Sequence, residues 1–322
     1  MEYKIAWFTE GGWFGKVERN HPNMRNDMAW MYSLDVVHHP IEHLPSIDSD
    51  EYDIGIITIP KTNIQQLMRV DIMKELKRVC KKVGTMQEGP HWYFQDYPME
   101  QQIWFYNTLM ELDFIWCHNE IDKKYYEGLT NKKCYVNPTL MLEETGNGIP
   151  VPVEKDSVII GGNMCRWYGG FDSYIVANEF GSSIYAPSMG RKIELEDQME
   201  NLTHLQYMTW VDWIVTLKQF KYGVHLMPTW AAGTFTLNCA NHGIPCIGYK
   251  GLDTQEQLHP SLSVDYGDLK EAKMLAKKLR DDDEFYKKCS DECKSLYEKS
   301  YFREDKYIYI INGILKKVMG DN

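Results

Sequence analysis

Apolar residues in this chain arrive as short runs separated by longer amphipathic stretches. Residues 4–9 form a β-type run that stops at Gly11-Gly12. Residues 34–41 form a second, and 53–60 (DIGIITIP) a third, β-branched and ended by proline. Residues 61–80 then change period: Ile64, Leu67, Met68, Ile72, Leu76 and Val79 recur near every 3.6 residues, the spacing of one helix face. A strand at 83–87, a helix at 98–112, a strand at 114–118, a helix at 120–128 and a strand at 134–137 follow. Strands alternating with helices predict parallel βαβ units.

The texture breaks at 143–156 (EETGNGIPVPVEKD), where glycine and proline replace periodicity, as in a linker. Alternation then resumes. Strands are expected at 158–162, 182–186, 202–208, 224–228 and 245–249, and helices at 169–180, 192–200, 210–220 and 233–242. Leu269, Ala272, Leu275, Ala276 and Leu279 mark a further helix face, and two more helices close the chain. A length of 322 residues suits about two domains. The expected architecture is α/β: two doubly wound, Rossmann-like domains, 1–145 and 155–322, facing each other across a central cleft. Open parallel sheets bind ligands beyond the carboxyl ends of their strands.

The net charge of −11 is spread evenly, −5 over residues 1–140 and −6 over 141–322. Neither half has the basic excess of a dedicated nucleic-acid domain, although a local basic groove remains compatible with it. No apolar run approaches about 18 residues, and the N-terminus lacks a charged segment followed by an apolar one. A cytoplasmic protein without a membrane span is expected. None of the eight cysteines lies in a CxxC pair, which suits reduced thiols. Acidic triplets offer no metal site: Asp281-Asp282-Asp283 opens a helix, where acids favour the dipole, and Asp48-Ser49-Asp50 sits in a loop. His38 and His39 point to opposite faces of a strand.

The segment 225–249 (HLMPTWAAGTFTLNCANHGIPCIGY) carries the strongest chemical signal. It reads strand, proline, glycine-bearing loop, helix, Gly-x-Pro, strand. A helix opening at Gly233-Thr234 offers free backbone N–H groups to a phosphate; an ordinary loop–helix start is the plainer reading of the same letters. The segment resembles the nucleotide-sugar signature of glycosyltransferase family 4, which has the GT-B fold. Aligned on Gly243 and Pro245, Gly233 and Thr234 match residues whose N–H groups meet the donor diphosphate. Asn238 takes the place of the family glutamate that bonds the ribose, and Trp230 that of a sugar-contacting glutamate. Both glutamates are absent here. In 158–170 (VIIGGNMCRWYGG), Arg166 stands where the family has a phosphate-gripping arginine, and Arg191 is a second basic candidate near a strand end. Planar guanidinium groups suit a diphosphate.

The resemblance implies a C-terminal donor domain, a last helix that crosses back to the first domain, and an N-terminal acceptor domain. It calls for no cofactor beyond the donor, a nucleoside-diphosphate sugar such as a UDP-sugar, and no metal. Gly11 and Gly12 then approach the donor phosphates. Glu88, in Gln87-Glu88-Gly89-Pro90-His91 at a strand end, is the candidate general base, with His91 beside it; a turn-stabilising carboxylate is the bland alternative for Glu88. Arg19, Arg25 and His118 are acceptor-side candidates. The aromatic stretch 92–107 reads as core packing, and Lys74, Lys77, Arg78, Lys81 and Lys82 as a solvated helix face. The expected function is transfer of a sugar to a hydroxyl of a glycan or small molecule. Two alternatives stand beside it. One is glycosylation of hydroxymethylated pyrimidines in DNA, since the layout is similar to that of phage DNA glucosyltransferases. The other is a degenerate nucleotide-sugar binding protein.

Overall fold

Seven strands build the first sheet: β1 (Ile5–Thr9), β2 (Gly15–Lys16), β3 (Val37–Pro40), β4 (Tyr52–Ile57), β5 (Cys80–Met86), β6 (Phe114–Cys117) and β7 (Lys133–Val136). Their order is β2-β3-β1-β4-β5-β6-β7, parallel except for the short antiparallel edge β2. The structure, a computed structural model, describes all residues but 1, 25, 61, 63, 88, 144–146, 163, 166, 188–195, 232 and 322. It divides into Met1–Pro138 with Glu304–Asn322, and Thr139–Arg303.

The helices of the first unit are α1 (Asp27–Ser33), α2 (Ile64–Leu67), α3 (Ile72–Val79), α4 (Met99–Glu111) and α5 (Glu120–Thr130), joined by the C-terminal helix Glu304–Met319. The single helix expected over 61–80 is two. The Asp71 carboxylate accepts the Lys74 N–H at 3.0 Å and restarts the chain as a new helix. The 3.6-residue period runs through the break because Ile64, Ile72, Leu76 and Val79 all bury against the same core. Three indoles fill the other face of the sheet: Trp7 stacks on Trp30, with centroids 6.4 Å apart and planes 6° off parallel, and lies 6.0 Å from Trp116. The C-terminal helix is tied in by Tyr307, fully buried, whose hydroxyl donates to Asn137 Oδ1 at 2.8 Å.

The second unit has six parallel strands: β8 (Val158–Ile160), β9 (Ile184–Ala186), β10 (Leu202–His204), β11 (Tyr222–His225), β12 (Cys246–Tyr249) and β13 (Ser263–Val264), in the order β10-β9-β8-β11-β12-β13. Its helices are α6 (Gly170–Ala177), α7 (Trp210–Leu217), α8 (Thr234–Asn241), α9 (Asp253–Leu258), α10 (Leu269–Asp281) and α11 (Asp283–Lys299), and the C-terminal helix is α12. Asp282 caps α11 by accepting the Phe285 N–H at 2.9 Å, so the acidic triplet is a helix start. Of the helix expected at 192–200, residues 192–195 lie outside the described residues, and Glu196–Gln198 is a 3-10 turn, not an α-helix.

Each sheet reverses its winding once. In the first unit the chain leaves β1 for β3 on one side and returns to β4 on the other; in the second it leaves β8 for β9 and returns to β11. Loops diverge at such points and leave a crevice at the carboxyl ends of the strands. The two crevices are therefore flanked by the loops after β1 and β4, and by those after β8 and β11.

Candidate functional site

In the second unit the crevice is built by glycine. Gly169, with φ +60°, packs its α-carbon against the Leu226 carbonyl, and any side chain there would collide with that oxygen. The loops after β8 and β11 are thus held backbone to backbone. Gly233 closes the second loop and is the N-cap of α8; a Cβ on it would run into the Thr254 hydroxyl. The Gly233 carbonyl accepts both Thr236 Oγ1 (3.0 Å) and Thr254 Oγ1 (3.1 Å), and the two hydroxyls lie 2.7 Å apart. Behind them His259 accepts the Cys246 N–H on Nδ1 (3.3 Å) and so donates from Nε2 to the Thr236 carbonyl (3.0 Å). Burial holds this imidazole neutral, with its pKa pushed down from 6.5 to about 4.

The result is a helix start fixed in place at the carboxyl end of β11, with Gly233, which has no side chain, at the N-cap. The first turn of α8 and the positive end of its dipole lie at this point, the arrangement that attracts an anion. Gly233 and Thr234 are both at this point. Arg166 and Arg191 lie outside the described residues. Asn238, which the resemblance aligns with a ribose contact, has its amide engaged within the unit. It is buried, and in the orientation that satisfies both partners its amide donates to the Thr234 carbonyl (3.1 Å) and accepts from Trp213 Nε1 (3.0 Å). It joins α8 to α7. Trp230 holds the left-handed conformation, φ 46°, with its indole N–H donating to the Lys250 carbonyl at 2.9 Å.

In the first unit, Gly11 and Gly12 follow β1 at the other crevice. Thr9 Oγ1 accepts the Gly11 N–H (3.1 Å) and meets His38 Nε2 (2.7 Å), while His38 Nδ1 meets the Trp13 carbonyl (2.8 Å). A carbonyl can only accept, so His38 carries its proton on Nδ1 and receives the Thr9 hydroxyl on Nε2. Burial lowers its pKa to about 4, which keeps that arrangement intact at neutral pH. His39, one residue on, bonds Tyr52 on the opposite face (2.7 Å).

Further along the same sheet edge, beyond β5 and β6, stands a histidine–carboxylate pair. His91 Nδ1 lies 3.0 Å from Asp122 Oδ1, and the ring packs on Tyr125 with centroids 4.4 Å apart. Asp122 is 1% exposed. Its other oxygen accepts the His118 backbone N–H at 3.4 Å, and its own N–H is capped by Asn119 Oδ1 at 3.0 Å. In neutral His91 the carboxylate fixes the proton on Nδ1 and leaves Nε2 as the acceptor, the tautomer of a general base. Glu88 lies outside the described residues, as does Arg25. His118 is buried and donates from Nε2 to the Gln87 carbonyl (2.9 Å). Arg19 reaches both carboxylate oxygens of Glu304 (3.2 and 3.1 Å) and stacks on Tyr32, tying α12 to α1. Asp122 was not among the sequence candidates. Its signal was a carboxylate three residues into the helix opened by Asn119, which reads as an ordinary helix start.

The aromatic stretch does pack: Phe94 stacks on Phe105 at 3.9 Å. Four of the five residues of the basic cluster are ion-paired: Lys77 with Glu111, Arg78 with Glu75, Lys81 with Asp53 and Lys82 with Asp113. Among the described residues no three His, Cys, Asp or Glu side chains converge on a common metal position, and no helix is long and apolar enough to cross a membrane.

No protein-family model and no curated protein matches the chain. Solved structures do. Anabaena HepE, in complex with UDP and glucose, is 10% identical, with 98% of this chain covering 100% of that one at a TM-score of 0.65. An α-glucosyltransferase in complex with UDP and a 13-mer DNA is 10% identical, with 98% of this chain covering 99% of that one at 0.59. Pneumococcal GtfA, an O-GlcNAc transferase in complex with UDP and GlcNAc, is 11% identical at 0.60; 87% of this chain matches, and it spans 60% of GtfA. The two parallel α/β sheets and these full-length likenesses identify the fold as GT-B, the one expected from the sequence.

Proposed function

We propose that this protein is a glycosyltransferase that moves a sugar from a UDP-sugar to a hydroxyl of a glycan or small molecule. The observation that carries the reading is the glycine-started N-terminus of α8, held by the Gly233–Thr236–Thr254–His259 network at the reversal of the second sheet. The likeness to proteins crystallised with UDP supports a nucleoside diphosphate there.

In this reading the leaving diphosphate lies against the N–H groups of Thr234 and its successors, with Arg166 and Arg191 as the cationic partners. Negative charge grows on the bridging oxygen as the glycosidic bond breaks, and fixed dipoles and guanidinium groups stabilise it without reorganising. The first unit supplies proton transfer. His91 Nε2 takes the acceptor proton while Asp122 stabilises the imidazolium that forms, and Glu88 is the second candidate for the base. Asn238 serves the site indirectly, by holding α8 against Trp213.

DNA as acceptor draws support from the likeness to the DNA-bound α-glucosyltransferase. The pairing of four of the five clustered cations weighs against it, because a phosphate-binding face needs cations that are not already neutralised.

Calorimetric titration with UDP, then UDP-release assays across UDP-sugars and acceptors, test the proposal. Binding in the micromolar range and acceptor-dependent UDP release are expected. Arg166→Ala should weaken UDP binding by about tenfold or more, as a lost charge-assisted contact does. Absence of UDP binding at millimolar concentration sinks the reading. UDP binding without release on any acceptor favours a binding protein.

A further inference from the structure

The first unit holds a cavity of about 540 Å³ that none of the steps above uses. It lies beside the crevice of the first sheet. Its walls are the turn Ile41–Ser46 after β3, helices α2 and α3, and Glu10, the residue that follows β1. The size falls within the range of small-molecule sites. Ile41, Leu44 and Ile72 are buried and form an apolar floor, while Val70, 53% exposed, stands at the mouth.

The polar groups of the wall share one character. They are the carboxylates of Glu10, Glu42 and Glu75 and the amide of Gln66; among the described residues no lysine, arginine or histidine lines the cavity. Glu10 accepts the Thr62 hydroxyl at 2.6 Å. Glu75 pairs with Arg78 at 2.9 Å, and that guanidinium is turned behind the wall, where its other nitrogens donate to the Ile47 and Leu44 carbonyls at 2.7 and 2.8 Å. Glu42 has no ion pair among the described residues. Carboxylates only accept hydrogen bonds. An anionic ligand would meet the like charge of Glu10 and Glu42, which have no basic partner among the described residues, and a purely apolar one would leave the rim carboxylates facing hydrocarbon.

We propose that this cavity binds a small organic cation, an ammonium group carried on an apolar body. The body covers Ile41, Leu44 and Ile72, and the ammonium faces Glu42 at the rim. Glu10 sits at the end of β1, and His91 and Asp122 sit beyond β5 and β6. That is two to three strand spacings along the same sheet edge, about 10–15 Å. Resting on the function proposed above, the cavity anchors the acceptor. The acceptor is then a hydroxyl compound whose cationic, apolar end lies here while its hydroxyl reaches His91.

The test uses the full chain without nucleotide, so its failure is distinct from failure of UDP binding. Three matched probes are titrated by calorimetry: 4-phenylbutylamine, 4-phenylbutanol and 4-phenylbutyrate. The amine should bind at least about tenfold tighter than the alcohol, a difference of about 1.4 kcal/mol, and the carboxylate should give no binding. Val70→Arg, at an exposed position, should fill the mouth and abolish amine binding. Glu42→Gln should cut the preference for amine over alcohol by about threefold or more. Equal affinity for amine and alcohol overturns the proposal. So does unchanged amine binding in Val70→Arg, or no binding of any probe to the wild-type chain.

Discussion

Replacing Asp122 by asparagine tests the proton-transfer assignment, and the structure dictates how it fails. Both carboxylate oxygens of Asp122 face N–H donors, His91 Nδ1 at 3.0 Å and the His118 backbone N–H at 3.4 Å. An amide has one oxygen and one NH₂ group, so it can satisfy only one of the two donors. The backbone N–H cannot rearrange, whereas imidazole can. The amide oxygen therefore stays with His118, the NH₂ turns to His91, and the ring moves its proton from Nδ1 to Nε2. The nitrogen that should accept the acceptor's proton is then already protonated. General-base assistance is worth about 10²–10⁴ in rate, which at about 1.36 kcal/mol per decade is roughly 3–5 kcal/mol of barrier. The loss should appear in kcat, with UDP affinity unchanged within about twofold. Long-range ¹H–¹⁵N correlation spectra read the tautomer directly and need no substrate. They should show Nδ1–H in the wild-type chain and Nε2–H in Asp122→Asn. A variant that keeps Nδ1–H, or that turns over within about threefold of wild type, refutes the assignment.

Three further outcomes follow from other parts of the fold. His225 and His259 are buried and His242 half-buried in the second unit, and desolvation lowers each pKa from 6.5 to about 4. Between those values the unfolded chain binds protons that the folded chain refuses, so stability falls as pH drops from about 6.5 to about 4, by up to about 1.4 kcal/mol per pH unit for each histidine. Urea midpoints against pH should show this slope, reduced in His259→Gln; a flat profile there contradicts the neutral burial. Asn238→Ala removes the bonds to Trp213 and Thr234 and should destabilise by about 1–3 kcal/mol with UDP affinity within about twofold, whereas a tenfold loss of affinity in a folded variant would return Asn238 to the ribose. Gly233→Ala places a methyl against Thr254 and should cost about 1–3 kcal/mol of overpacking, partly recovered in a Thr254→Ala background; thermal melts of both variants check it.

Periodicity made the fold legible, because it reports which residues a helix or strand buries. Runs such as 53–60 and stripes such as Leu269, Ala272 and Ala276 bury along single elements, so their spacing survives in the sequence. The break at Asp71 was harder to see, although aspartate is a strong helix starter, because α2 and α3 bury the same face and the period does not slip. The site was legible where one segment carries it: Gly233 and Thr234 lie in one loop and one helix start. It was not legible where partners are remote in the chain. His91 and Asp122 are 31 residues apart and meet because β5 and β6 are neighbours. Thr254 and His259 reach α8 from the far side of β12. No local pattern encodes such meetings, and a charged or polar letter read alone gives no direction. Arg19 reads as an acceptor-side candidate from its letter alone, and its ion pair with Glu304, 285 residues away, has no local signal.

The two positions where the family this chain resembles carries glutamate bear on the proposed donor site. A missing carboxylate alone is ambiguous between altered specificity and lost function. Here both replacements are anchored inward. The Asn238 amide bonds α7 and α8, and the Trp230 indole is fixed to the Lys250 carbonyl from a left-handed backbone position. Gly251, with φ +98°, leaves room for that indole, which occupies the space a side chain there would need. Strain and close packing of this kind persist only where the surroundings impose them. The loop before α8 is therefore a specified structure without either carboxylate. On the function proposed above, two negative charges are absent beside a diphosphate, and the phosphate end of the donor is served by backbone N–H groups and the helix dipole. Those groups read phosphate and carry no information about the sugar. Selection of the sugar then falls to other side chains, so substituting Trp230 or Asn238 by glutamate should alter donor affinity before it alters the choice of sugar.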